Sequence, residues 1–177
     1  INLQSGWNMI SSYIVPDNPD VVDVCSDIVD NLVVMKNNAG DIYFPALDIN
    51  LIGDWDITQG YQLYMNSNDQ IKIVGEKVNP QTPIVLSAGW NIAAYLYGVN
   101  MDAVTAFQNI VVVLVVAKNN NGDIYFPSLN LNLIGDLIPG QGYQVYLNNN
   151  NTLIYPELEL PKAMINDLWQ SINPRFF

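Results

Sequence analysis

A chain of 177 residues, half of them hydrophobic, holds enough apolar material for one large domain or two small ones. Only 13% of its residues are charged, six basic against seventeen acidic for a net charge of −11, which leaves no electrostatic footprint for a phosphate backbone or an anionic lipid surface. Histidine is absent, which removes the commonest general base and transition-metal ligand, and the longest apolar run, Ile110 to Ala117, falls far short of the roughly 20 residues of a membrane span. Nucleic acid, membrane insertion and a bound cofactor or metal are therefore not expected. Without an initiator Met, Ile1 reads either as a trimmed start or as the edge of a fragment.

The chain opens on Gly6-Trp7-Asn8-Met9-Ile10, a short strand that returns as Gly89-Trp90-Asn91-Ile92-Ala93. The offset between the copies is 83 here and falls to 82 by Tyr13 and Tyr95, so one residue was gained or lost, pointing to a bulge or a strand end. The glycines read as serving backbone geometry and the tryptophan rings as filling a core.

A helical stretch follows. In the first copy Asp20, Asp23, Asp27 and Asp30 fall at spacings of three and four, opposite Val21, Val24, Cys25 and Ile28. The second copy has Asp102, Thr105, Asn109 and Val112 at those positions, so the acidic stripe reads as a solvated face peculiar to the first. Cys25, the only cysteine, reads as a small buried hydrophobe.

Strands are expected at Leu32 to Lys36 and at Ile110 to Lys118, the latter Val-rich and suited to burial on both faces. Asn37 to Asp41 and Asn119 to Asp123 read as hairpin turns, because Asn and Gly tolerate left-handed angles. A calcium loop would need more carboxylates and a terminal bidentate Glu. From Lys36 to Asn66 and Lys118 to Asn148 the copies agree at 21 of 31 positions. Such a fixed period marks duplicated units.

Further matched segments are Asn50-Leu51-Ile52-Gly53-Asp54 with Asn132-Leu133-Ile134-Gly135-Asp136, and Gly60-Tyr61-Gln62-Leu63-Tyr64 with Gly142-Tyr143-Gln144-Val145-Tyr146, the last a half-buried strand by its alternation. Each unit is expected to close on a strand, at Ile71 to Val74 and Leu153 to Tyr155. The Pro-containing seam Glu76 to Pro83 is short and stiff. After Pro156, Met164, Ile165, Leu168, Trp169 and Ile172 recur at helical spacing, so Leu168 and Trp169 are candidate contacts for a protein partner or for self-association.

The expected fold is mainly β (α+β): two tandem homologous small barrel or sandwich-like units, each with one short helix, at 1–78 and 79–156, and a helical tail at 157–177. Together, the Gly-Trp-Asn opening, Gly-Asp-Ile-Tyr-Phe-Pro, Asn-Leu-Ile-Gly-Asp and the closing Gly-Tyr strand, then Pro83-Ile84-Val85-Leu86 leading into the next Gly-Trp-Asn, resemble tandem repeats of secreted and cell-surface proteins of Bacteroidetes. The resemblance spans residues 5 to 156. It implies an extracellular or cell-surface module without catalytic residues, and a virus of such a host could carry the same module in its virion.

Three functions compete. An enzyme would need paired carboxylates, for which Asp41 with Asp123 and Asp54 with Asp136 are the candidates, but each member sits in its own unit near a turn. A carbohydrate-binding module would stack sugars on aromatic rings, and Trp55, Tyr43 and Tyr125 are the candidate ligand contacts, Trp55 above all because its counterpart is Leu137. A non-catalytic structural or adhesion module fits the twin units and the absence of a conspicuous site, and is the preferred expectation.

Overall fold

The computed structural model describes residues 1–158 and is mainly β. Its framework is two similar five-stranded sheets. The first contains β1 (Gly6–Ile10), β2 (Leu32–Lys36), β3 (Ile42–Phe44), β4 (Ile49–Asn50) and β5 (Tyr61–Met65), in the order β1-β5-β2-β3-β4, with every pairing antiparallel. The second repeats that order as β6-β10-β7-β8-β9, from β6 (Gly89–Ala94), β7 (Leu114–Lys118), β8 (Ile124–Phe126), β9 (Leu131–Asn132) and β10 (Gly142–Leu147). Neither sheet closes into a barrel, so the barrel form of the expectation is not met. Short two-stranded ribbons flank them, such as Asn2–Leu3 with Asp69–Gln70 and Ile84–Leu86 with Asn151–Leu153. Residues 71–74 do not form the expected closing strand, and the chain re-pairs only at Gly75–Lys77. The candidate tail contacts Leu168 and Trp169 lie outside the described residues.

The helical stretch is shorter than its periodicity suggests. α1 (Val21–Val24) and α2 (Ala103–Ala106) are single turns, each followed by a 3-10 turn, because the chain must return to the sheet within a few residues. Asp20 and Asp102 cap them, their carboxylates accepting from the N–H of Val22 and Thr105. The Asn-Leu-Ile-Gly-Asp motif serves this cap. The Asn50 amide oxygen accepts from the N–H of Ile52 and Gly53 while its amide N–H donates to Asp20, and the Gly53 carbonyl accepts from the N–H of Val21. Asn132, Gly135 and Asp102 repeat the arrangement.

The Val-rich run of the second unit splits. Residues up to Val113 belong to the 3-10 turn and the bend after it, and Val112 stands 92% exposed, while only Leu114–Lys118 joins the sheet, as its central strand. The register shifts in β2 and β7, between Leu32 and Val34 and between Leu114 and Val116. In β1 and β6 the ladder is regular, so the offset change belongs to the end of the opening strand rather than to a bulge within it.

Each unit has its own core on one face of its sheet. Cys25, Met35, Trp55, Tyr61 and Leu63 lie in the first, and Phe107, Ala117, Leu137, Tyr143 and Val145 occupy the equivalent places in the second. Cys25 is buried, with Sγ 3.6 Å from Met35 Sδ, and burial pushes its thiol from 9.0 up to about 12. The expected solvated face is present, since Asp23, Asp27 and Asp30 are exposed.

The units meet through two equivalent contacts. Ile10 bridges Gln141, and Ala93 bridges Gln59. Gln59 and Gln141 correspond under the offset of 82, Ile10 and Ala93 under the offset of 83, so the interface is isologous: each unit offers the other the same two elements. Ser11 joins the units. It donates from its hydroxyl to the Gln141 carbonyl, and the same oxygen accepts from the N–H of Tyr95.

Candidate functional site

The turn before each opening strand explains two residues of Gly-Trp-Asn. Gly6 and Gly89 have φ of 92° and 96°, where a side chain would be strained. Asn8 is buried and fastens the turn, its Oδ1 accepting from the N–H of Gln4 at 2.8 Å and its Nδ2 donating to the carbonyls of Gln4 and Gly6. Asn91 does the same with Ser87 and Gly89. The turn makes no use of the tryptophan between them.

The rings point away from the cores. Trp7 is 51% exposed and Trp90 52%, which overturns the expectation that they fill a core. Because side chains alternate along a strand, burial of Asn8 on one face sends Trp7 to the other. There each tryptophan meets the tyrosine paired with it on the neighbouring strand: Trp7 and Tyr64 have centroids 5.2 Å apart at 74°, and Trp90 and Tyr146 5.2 Å apart at 71°. The Lys36 ammonium stands 5.3 Å from the Trp7 ring centroid and that of Lys118 5.6 Å from Trp90. Gln62 and Gln144 occupy the same faces, paired in register with Lys36 and Lys118. Each sheet thus carries an outward platform of indole, phenol, amide and ammonium.

An exposed cation–π pair contributes about 0.5–1 kcal/mol and an edge-to-face aromatic pair a similar amount, so the platforms stabilise their sheets.

The residues expected to contact ligand lie elsewhere. Trp55 is 5% exposed, its ring centroid 4.2 Å from that of Tyr61, and Tyr43 and Tyr125 are each 4% exposed within the two cores. These three rings have no face free for a sugar. The signal that would have redirected the expectation is the alternation around Asn8 and Asn91: a buried amide beside an aromatic in a strand puts that aromatic on the opposite face.

The four aspartates considered for catalysis lie in local turns and ribbons. Asp41 accepts from the amide of Asn37 within its own turn, and Asp123 from Asn119, as the hairpin reading requires. Asp54 bridges the helix cap at Asp20, while Asp136 lies in the equivalent ribbon with Met101–Asp102. Among the described residues no group of three or more His, Cys, Asp or Glu side chains is placed to hold a metal, and no helix is long and apolar enough to cross a membrane.

No family model matches this chain, and comparison with curated proteins and with solved structures gave no match.

Proposed function

We propose that this chain is a non-catalytic adhesion module that recognises carbohydrate on two equivalent aromatic platforms, one built around Trp7 and Tyr64 and the other around Trp90 and Tyr146. The observation that supports this most is the unequal divergence of the two surfaces. On the helix side, exposed Asp23, Ser26, Asp27 and Asp30 become Thr105, Gln108, Asn109 and Val112, so the polar side chains change while exposed Val22 and Val29 are kept as Val104 and Val111. On the sheet side Trp, Tyr, Lys and Gln are all kept, at positions that are exposed for Trp7, Trp90 and Tyr64 and half-buried for the rest.

A half-exposed indole offers apolar surface for the C–H face of a pyranose, with an amide beside it and an ammonium over the ring for hydroxyls. An extracellular or cell-surface position belongs to this reading and rests on the resemblance of the repeats to such proteins. The experiment is a titration with a broad panel of oligosaccharides followed by isothermal calorimetry. Saturable binding that is lost in the Trp7→Ala/Trp90→Ala variant, with circular dichroism unchanged, supports the proposal. Absence of binding across the panel, or binding that survives in the variant, overturns it.

A further inference from the structure

We infer that the sugars taken by the two platforms carry spaced carboxylates, as in a polysaccharide that alternates uronic acid with neutral residues; this rests on the carbohydrate reading above. The chain has six basic residues in 177, and two of them, Lys36 and Lys118, are set over the exposed indoles at 5.3 and 5.6 Å in equivalent positions. A neutral ligand would leave these ammonium groups as mere supports for the rings. A sugar stacked on the indole brings any equatorial carboxylate on its ring to the rim of the platform, within reach of an ammonium on a flexible four-carbon stem.

The net charge of −11 limits which anion fits. A densely sulfated chain meets repulsion from the net negative charge of the chain, whereas isolated carboxylates separated by neutral sugars meet one ammonium at a time. The platform also offers a monodentate point charge rather than a cluster of guanidinium groups, which suits a single carboxylate and not a run of sulfates.

The experiment compares hyaluronan hexasaccharide, chitohexaose and heparin as titrants of the intact chain, by tryptophan fluorescence at low salt. An exposed carboxylate–ammonium pair contributes at most about 1 kcal/mol, so hyaluronan is expected to bind about threefold to fivefold more tightly than chitohexaose. That preference is expected to vanish in Lys36→Gln/Lys118→Gln and to persist in the charge-matched control Lys72→Gln/Lys77→Gln, whose lysines are exposed away from the platforms. Equal binding of the two hexasaccharides, tighter binding of heparin, or a preference that outlasts loss of Lys36 and Lys118 overturns the inference. If chitohexaose binds as well as hyaluronan and binding still needs Trp7 and Trp90, the inference fails while the carbohydrate reading stands. Absence of binding by all three, with other panel members still held by the tryptophans, sinks only the inference; silence across the whole panel sinks both.

Discussion

Gly142 lies against the backbone of Ile10: a β-carbon placed on it would stand 2.7 Å from the Ile10 carbonyl oxygen and 3.3 Å from Met9 Cγ. Gly60 holds the equivalent position in the other unit, where a β-carbon would stand 2.6 Å from Ile92 Cγ2 and 3.3 Å from the Ala93 carbonyl oxygen. The Gly-Tyr motif therefore has two separate tasks, close approach between the units and anchorage of a core ring. Gly142→Ala is expected to lower stability by about 1–3 kcal/mol, because the obstacle is backbone that cannot rotate aside. Gly60→Ala is expected to cost less, since its nearest obstacle, Ile92 Cγ2, is the end of a side chain and the backbone oxygens of Ile10 and Ala93 stand farther off, at 3.2 and 3.3 Å. Thermal denaturation of both variants checks the order, at about 2–4 °C per kcal/mol for a chain of this size.

Ser11 offers a second probe of the same interface. Ser11→Ala leaves the Gln141 carbonyl and the Tyr95 N–H without their partner in a buried place. The expected loss is about 1–3 kcal/mol by urea denaturation, with the m-value unchanged.

Trp55 tests whether ring or site explains its difference from Leu137. Its Nε1 is the one buried side-chain nitrogen or oxygen without a hydrogen-bond partner among the described residues. Trp55→Ala is expected to cost about 3–5 kcal/mol as a large core truncation. Trp55→Leu, which installs the residue found at 137 and removes the unpaired N–H, is expected to cost less than half as much. Carbohydrate binding is expected to be unchanged in the leucine variant, in contrast to the expectation from sequence.

Alkaline pH should unfold the protein before the acid side does comparable harm. Burial raises Cys25 from 9.0 to about 12 and Tyr143 from 10.0 to about 12, and also raises Tyr61, Tyr95 and Tyr155. A group whose folded pKa is raised contributes stability that is fully present below its unfolded pKa and is lost as pH rises toward the folded one. For Cys25 that window runs from about 9 to 12 and for Tyr143 from about 10 to 12. Each group contributes a slope of at most about 1.4 kcal/mol per pH unit. Tyrosinate absorbance during a base titration is expected to rise in one steep step coincident with loss of circular dichroism, not as independent ionisations near pH 10.

Much of the fold was legible in the chain because it was written twice. The span of β2 at Leu32–Lys36, the hairpin turns at Asn37 to Asp41 and Asn119 to Asp123, and the burial of Cys25 follow from local pattern and turn chemistry. The positions of Trp7 and Trp90 were misread for a physical reason. Composition ranks tryptophan as a core residue, whereas the turn-fastening role of Asn8 and Asn91, which sets the face, involves backbone groups of Gln4 and Ser87 that carry no sequence signature. Trp55 misled in the opposite sense. Its mismatch with Leu137 reads as a special surface residue, yet the core of the second unit carries its extra ring at Phe107, opposite Cys25, so the difference is a redistribution of bulk between two interiors. The isologous contact of the units was hidden because it joins strand ends to loops 131 and 34 residues away through backbone pairing.

The most direct test of the platforms as the recognition surface is an indole N–H spectrum of the nitrogen-15-labelled chain, recorded while the tightest-binding oligosaccharide of the panel is added. The resonances of Trp7 and Trp90 should move together and saturably, with that of Trp55 unmoved. Movement of Trp55 with Trp7 and Trp90 stationary, or binding detected by other means with no indole displaced, would contradict the account.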